Sequence, residues 1–417
     1  MNPFLATIKP TADEQKRVKA VTASFLKRLN LSLPDAKAIL GGSGAKGTWL
    51  SGNHDLDIFV LFPLRKYTPR SAELSEIIEP ILKKLFPNQQ LKRVHGSRDY
   101  FQLVESGFSF EVVPILKIAR AEQAVNITDV SPLHTEWVSA KSVLVKDEIL
   151  LAKQFCKANG LYGAESYIAG FSGYVLEILV SYYGSFEKLL RASQKWKKNE
   201  VIDIEKHYPQ KNALFHLNQS KVHSPLIVID PVDKSRNAAA ALAEEKFFLF
   251  QQKAKEYLLK PVVDFFVKRN VSLDSWRVEV KQRAHHGVWL TLLMSVGKED
   301  VVGVKITKII LFLEKELAPF SVLKSGFVWD KSSSVSIYIE TAKSQRAAEE
   351  IKSGPPLTLL PFVADFKRKN KDTFVEKDRL MARIKINKVS LAENVKMALK
   401  RDYVVEKIAS VKDVIIM

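Results

Sequence analysis

Gly41-Gly42-Ser43-Gly44-Ala45-Lys46-Gly47-Thr48-Trp49-Leu50, followed four residues later by Asp55-Leu56-Asp57-Ile58-Phe59-Val60, is the stretch from which the fold is read. Asp55 to Phe62 reads as a strand with a largely apolar run, and Asn53-His54 makes the turn before it. Two carboxylates two residues apart on a strand project from one face. Like charges so placed repel unless a cation lies between them. Hard oxygen ligands favour Mg²⁺, which also takes oxygens from substrate phosphates. The preceding glycines let a backbone approach a triphosphate closely, while Ser43 and Lys46 add a hydroxyl and a positive charge.

Other readings of the glycines fail on context. Gly42-x-Gly44-x-x-Gly47 matches the dinucleotide-binding pattern, but that pattern needs a long helix and a second parallel strand. Here the acidic strand follows almost at once. A phosphate-binding Walker loop needs Gly-Lys-Ser/Thr, and the order here is Lys46-Gly47-Thr48. A plain glycine turn before an Asp-capped strand would be a poor use of paired acids ahead of Ile58-Phe59-Val60-Leu61. A third acid fits the same picture. In Phe108-Ser109-Phe110-Glu111-Val112, alternation turns Glu111 away from the apolar face. If this strand lies beside Asp55–Asp57, three carboxylates converge, and two metals would clamp an in-line phosphoryl displacement.

Around this centre the pattern is α+β. Thr11 and Glu14 have capping-box spacing at the start of a helix to about Leu29, with Val18, Val21, Phe25 and Leu29 on one face. Lys37–Leu40 reads as a short strand and Ser71–Phe86 as an amphipathic helix kinked at Pro80. Strands 100–105 and 108–115 meet at a tight Ser106-Gly107 turn. After about Val138 the pattern becomes helical. A polar, lysine-rich loop is expected over 194–211, then a helix capped by Ser235 from Arg236 to Leu259 with Phe247, Phe248 and Phe250 in the core. Strands return at 289–295, 322–329 and 335–340, with a helix over 301–317. The expected organisation is a catalytic head with a mixed sheet (1–138), a helical central domain (139–259) and an α/β C-terminal body and tail (260–417).

Lys and Arg total 64 against 46 Asp and Glu, a net charge of +18, which favours a polyanionic partner. Cys156 is the sole cysteine, so neither an intrachain disulfide nor a cysteine metal cluster is available, and its helical apolar setting predicts a buried hydrophobe. No secretory signal or membrane-length apolar run is evident, so no membrane partner and a cytoplasmic location are expected.

At Gly-Ser followed by an acid-x-acid strand, the sequence resembles the DNA polymerase β-like nucleotidyltransferase superfamily. In its longer form, Gly-Gly-Ser-x-Ala-Lys-Gly-Thr-Trp-Leu with Asp-x-Asp-Ile-Phe-Val, it resembles the archaeal-type (class I) CCA-adding enzymes. Ser131-Pro132-Leu133-His134 agrees, as do Lys153 to Glu165 with Gly170 to Tyr174, Asp230 to Asn237, and Gly354-Pro355-Pro356. The resemblance implies template-independent addition of C, C and A to the tRNA 3′ end from CTP and ATP, releasing pyrophosphate. It implies Mg²⁺ at Asp55, Asp57 and Glu111, with Glu111 helping to activate the 3′-hydroxyl. It also implies nucleotide contacts from Ser43, Lys46, His134, Lys153 and Tyr162, and base recognition by Arg236. In this sequence the acid lengths at Asp55 and Glu111 are exchanged relative to the usual pattern, so the spacing of metal ligands at Glu111 is the point to test.

Without the resemblance, Lys153 reads equally well as a solvated helix position, Tyr162 as a core aromatic and His134 as an exposed loop residue. Arg236 at a helix start would be opposed by the dipole, which favours a ligand role. The basic run Lys367, Arg368, Lys369, Lys371, Arg379, Arg383 and Lys385 by itself reads as a solvated face; with the net charge of +18 and the tRNA substrate that the resemblance implies, it is expected to contact phosphates and 2′-hydroxyls of an A-form stem. Two rivals stand beside this reading. One is another template-independent nucleotidyltransferase, such as a poly(A) polymerase or oligoadenylate synthetase. The other is a non-catalytic RNA-binding protein on the same scaffold. The oligomeric state, a homodimer among the options, is not encoded in any motif.

Overall fold

A computed structural model of the chain describes residues 4–53, 55–208, 212–218, 222–269, 271–345, 349–385 and 389–417. His54, expected in the turn before the acidic strand, and 209–211 of the lysine-rich stretch lie outside these residues. The chain forms two compact units, Met1–Arg269 and Asn270–Met417.

After a single helical turn over Leu5–Ile8, the first unit's first long helix is α1 (Ala12–Ser32), for which Thr11 and Glu14 form the expected capping box. Strand β1 (Lys37–Leu40) leads into a short helix α2 (Gly42–Lys46), then strand β2 (Asp55–Pro63). Helix α3 (Leu74–Leu85) runs through Pro80, preceded by a 3₁₀ segment over 68–73 in which Arg70 is non-helical. Thus the break in the expected 71–86 helix falls at its start. Strands β3 (Lys92–Val94), β4 (Tyr100–Glu105) and β5 (Phe108–Lys117) complete a sheet ordered β1-β2-β5-β4-β3. Ser106 and Gly107 both have positive φ, 55° and 79°, as a two-residue hairpin turn of the primed type demands.

The pairing that positions the acids is β2 with β5. These strands run parallel, with Asp57 registered against Glu111 and Leu56 against Phe110. Leu56 and Phe110 go into the core, where Phe110 stacks on Phe25 of α1 at 4.0 Å between ring centroids. Alternation along each strand therefore puts Asp55, Asp57, Ser109 and Glu111 on the other face.

The helical part follows as α4 (Ser131–Lys141), α5 (Lys146–Ala158), α6 (Gly173–Tyr183), α7 (Phe186–Ser193) and α8 (Glu244–Leu259). These pack around a second apolar cluster that includes Cys156, fully buried as expected. Within the expected 194–211 loop, Glu200–Ile202 forms strand β6, which pairs in parallel with β7 (Leu226–Val228). Phe247 and Phe250 are buried, but Phe248 is half exposed. Successive residues of a helix lie about 100° apart around its axis, so Phe248 turns away from the face its neighbour buries.

The helix expected from Arg236 begins only at Glu244, and Ser235 caps no helix. Asn237 supplies the reason. Its side-chain oxygen accepts from the backbone N–H of Val228 and Ala239, both at 2.9 Å, and Ser235 donates to Asp233 at 2.7 Å. Such side-chain bonds give the backbone an alternative to the helix despite the alanine run that follows.

The second unit carries helix α9 (Leu273–Gln282), strand β8 (His286–Met294), helix α10 (Glu299–Glu316), and strands β9 (Val322–Trp329) and β10 (Ser334–Thr341). Strand β11 (Glu349–Pro356), helix α11 (Leu360–Lys369), and strands β12 (Asp372–Glu376) and β13 (Arg379–Lys385) follow. Helix α12 (Leu391–Leu399) and strand β14 (Ile408–Ile416) end it. Its larger sheet is ordered β14-β8-β10-β9 and its smaller one β11-β13-β12. The fold class is α+β, as read from the sequence.

Candidate active site

The carboxylate row is built by backbone register. Asp57 sits over the glycine segment so closely that Gly42 can carry no side chain: its Cβ would lie 1.6 Å from Asp57 Oδ2, and its φ is +53°. Gly41 N–H also donates to the Asp57 carbonyl at 2.8 Å. The glycines were expected to admit a ligand, whereas here Asp57 of the acidic strand itself uses the space at Gly42. On the far side, Gln102 of β4 donates to Glu111 Oε1 at 2.7 Å and orients that acid.

The electrostatics fit a bound cation. Burial raises the Asp57 carboxyl to about 6, and repulsion from Glu111 and Asp55 adds to this while Lys46 opposes it. A cation among these oxygens would relieve that repulsion. Among the described residues, no group of three or more Asp, Glu, His or Cys side chains is close enough to hold a metal ion by itself. The acids form an open row instead, of the kind that leaves room for substrate oxygens to complete the coordination.

Beside this row lies a buried charge network. Glu177 of α6 is 1% exposed and receives Lys46 Nζ at 2.8 Å on Oε2. Its Oε1 receives Lys153 Nζ at 2.7 Å and the Thr48 hydroxyl at 2.6 Å. Lys153 Nζ also donates to the Thr48 carbonyl at 2.9 Å. Burial alone would raise Glu177, but Lys153 and Lys46 outweigh it and hold the carboxyl at about 2. Lys153 is therefore far from a solvated surface position. Burial lowers its affinity for a proton, and Glu177 works against that. Ser43 is half-buried on α2, and its carbonyl accepts from Thr48 N–H at 3.1 Å.

A third group centres on Asp230, which is fully buried. His134 Nε2 lies 2.9 Å from Oδ2, Arg236 pairs with the same oxygen, and Tyr174 donates to Oδ1 at 3.0 Å. Burial pushes this carboxyl up, yet the bond and charge of His134 together with Arg236 bring it to about 2. Tyr174 links the groups, since its ring centroid is 5.4 Å from Lys46 Nζ. Arg236 thus sits in a loop, and the helix-dipole argument for it falls. Its ion pair places it instead.

Tyr162 forms an isolated bridge with Phe171, and a Cβ on Gly173 would come within 2.8 Å of its hydroxyl. Burial drives that phenol upward, with Glu177 the next contributor. Above its ring, 5.1 Å from the centroid, stands Lys157 Nζ. Burial lowers Lys157, and the charge of Asp55 opposes the shift.

Sequence reasoning gave no role of their own to Lys157, Glu177, Asp230 or Tyr174, though signals were present. Lys153 and Lys157 are four apart on one helix and so share a face. Glu177 is a lone acid inside Val175-Leu176-Glu177-Ile178-Leu179-Val180, a position that burial permits only with a partner.

Comparison with known proteins places the chain in a family. Residues 147–267 match the family described as tRNA nucleotidyltransferase, second domain, and residues 22–97 match the nucleotidyltransferase domain. A CCA-adding enzyme of Nanoarchaeum equitans is 37% identical over 318 residues, covering 75% of this chain and 76% of its own. That of Methanosarcina barkeri is 30% identical over 88% of this chain and 80% of its own, and that of Saccharolobus shibatae 30% over 93% and 89%. A solved structure of Cid1, described for its RNA terminal uridylyl transferase activity, aligns with a TM-score of 0.50 at 14% identity, over 64% of this chain and 96% of that one. That likeness is one of fold. Carried by the relatives' identity across most of both chains, the chain belongs to the archaeal-type CCA-adding enzymes, tRNA nucleotidyltransferases of the nucleotidyltransferase superfamily.

Proposed function

We propose that the row Asp55, Asp57 and Glu111 is where this enzyme extends the tRNA 3′ end, adding C, C and A in turn from CTP and ATP. The observation that carries this reading is the parallel register setting Glu111 against Asp57, with Asp55 on the same face. In each addition the 3′-hydroxyl oxygen bonds to the nucleotide α-phosphorus, the bond from that phosphorus to the bridging oxygen breaks, and pyrophosphate leaves. No nucleic-acid template is involved.

Asp55, Asp57 and Glu111 would hold the divalent metal, which we take to be Mg²⁺, and it would neutralise phosphate charge there. Glu111, oriented by Gln102, is assigned to the proton of the 3′-hydroxyl. Ser43 and Lys46 are assigned to the triphosphate, His134, Lys153 and Tyr162 to the nucleotide, and Arg236, held by Asp230, to the base. Because Lys153 shares the Glu177 carboxylate with Lys46, we assign it to the triphosphate as well. The head and helical parts of the first unit act on the nucleotide and RNA end. The basic residues of the second unit, Lys367 and Lys371 among them, are assigned to the acceptor stem through phosphate and 2′-hydroxyl contacts. The proposed place of action is the cytoplasm. Among the described residues, no helix is long and apolar enough to cross a membrane.

Primers test the reading directly. With tRNAs ending before CCA, after C and after CC, CTP should extend the first two and ATP only the third, in a Mg²⁺-dependent manner. Polymerisation of ATP into a long tail with CTP ignored would favour the poly(A)-polymerase alternative. Tight tRNA binding without any metal-dependent incorporation would favour the non-catalytic one.

A further inference from the structure

Glu177 has no place in the chemistry above, yet it is fully buried and paired on both oxygens. Three groups converge on one carboxylate: Lys46 from α2, Thr48 from the turn after α2, and Lys153 from α5. The two lysines come from segments far apart in sequence, and the carboxylate bridging them belongs to a third segment, α6. Lys46 and Lys153 are 7% and 3% exposed, so water does little for either ammonium.

Two ammoniums share one carboxylate, leaving one net positive charge enclosed beside Asp57, whose own carboxyl already feels Lys46. Two like charges are not brought together in an apolar interior unless an opposite charge holds them. An apolar or uncharged residue at 177 would leave them to repel. The carboxylate also fixes Thr48, and Thr48 N–H bonds back to the Ser43 carbonyl, so Glu177 ties the end of the glycine segment to α6 at two points, Lys46 and Thr48.

We propose that Glu177 is the positioning residue for the triphosphate: it holds Lys46 and Lys153 together as a preassembled cationic pair and fixes the glycine segment that carries Ser43. This rests on the assignment of Lys46 and Lys153 to the triphosphate. Glu177 itself touches no substrate. The positive charge that the two lysines keep beyond Glu177 is matched by the polyanion they receive, and the preassembly spares the nucleotide the work of ordering two long side chains.

The test separates a positioning role from a merely structural one. In the full chain, Glu177→Gln keeps the shape and removes the charge, and Glu177→Asp keeps the charge on a shorter stem. Three quantities are measured for each: KM and kcat for CTP and ATP, the inhibition constant of inorganic tripolyphosphate, and tRNA affinity. Glu177→Gln should raise the KM for both nucleotides and weaken tripolyphosphate inhibition by at least about tenfold, because a buried pair that loses one partner loses its geometry. Glu177→Asp should restore part of that loss, and tRNA affinity should stay within about twofold. Unchanged or tighter tripolyphosphate inhibition in Glu177→Gln overturns the proposal, as does a lower melting temperature accompanied by a loss in kcat alone. Should Glu177→Gln not fold, Thr48→Val removes one of the same bonds, and the same inhibition constant decides. Lys46→Ala and Lys153→Met are run in parallel. If these leave nucleotide KM unchanged, the lysine assignment has failed, a result distinguishable from failure of Glu177 alone.

Discussion

Asp57 and Gly42 form the tightest residue-scale relation in the site. With its Cβ 1.6 Å from Asp57 Oδ2, Gly42→Ala must displace either the glycine segment or the acid. We expect it to lower kcat by at least about a hundredfold, several kcal/mol of metal-assisted stabilisation, with circular dichroism unchanged. Asp57→Asn should give a similar loss while filter binding shows tRNA affinity largely intact. A pH dependence also follows. Because Asp57 is raised to about 6, it holds its proton at a pH where an ordinary aspartate has lost it. A metal must displace that proton, so activity should fall as pH drops through about 6 and be partly restored by more metal. A pH profile that is flat from about 5 to 8 at low metal would contradict this. The acids themselves were legible in the sequence from strand alternation. The reason for Gly42 was not, since it depends on how close a neighbouring strand packs.

At the scale of elements, helix α1 supports the site from behind. Phe25 is buried between Phe86 and Phe110, with ring centroids 4.8 and 4.0 Å away. Phe110 precedes Glu111, so a cavity here loosens the strand that carries the third acid. Phe25→Ala should cost about 3–5 kcal/mol in denaturant unfolding, whereas Thr11→Ala, which removes only the cap, should cost about 1 kcal/mol. The apolar spacing made this helix and the strands readable. The segment from Arg236 to Ala243 was misread, because its alanines favour a helix while the side chains of Asn237, Asp233 and Asp230 accept from backbone N–H groups. Glu177 and Asp230 add an acid sensitivity. Each is held at about 2 when folded, below its ordinary unfolded range near 4, so the stability they contribute is full above that range and is lost as pH falls toward 2. Acid titration followed by tryptophan fluorescence should show unfolding of the first unit in that window.

Over the whole molecule, a net charge of +18 makes the affinity for tRNA depend on salt. The basic run near the C-terminus is less uniform than its sequence suggests. Arg368 and Lys369 both pair with Asp365, and Arg383 stacks over Phe374 at 4.8 Å. Lys367 and Lys371 are exposed. Replacing both with alanine should reduce the slope of log affinity against log salt by about one for each phosphate no longer neutralised. The kcat at saturating tRNA should be unchanged. A slope equal to that of the unaltered protein would remove these residues from the RNA surface. The charge balance favours a polyanionic partner before any motif is read. Which lysines and arginines are already engaged within the protein was not, because ion pairing depends on side chains that the fold brings near.

The parallel pairing of β2 with β5 also decides where this chain tolerates insertions. Register between them is locked by Leu56 and Phe110 on the core face, not by the length of chain that joins them. Residues added between Pro63 and Tyr100, outside the helices and strands, can bulge outward and leave Asp57 facing Glu111. A single residue added inside β5 before Glu111 does the opposite: alternation would swing the acid into the core and set an apolar side chain beside Asp57. The spacing of Asp57 and Glu111 is thus insulated from most of the sequence between their two strands and exposed to slippage over only a few positions.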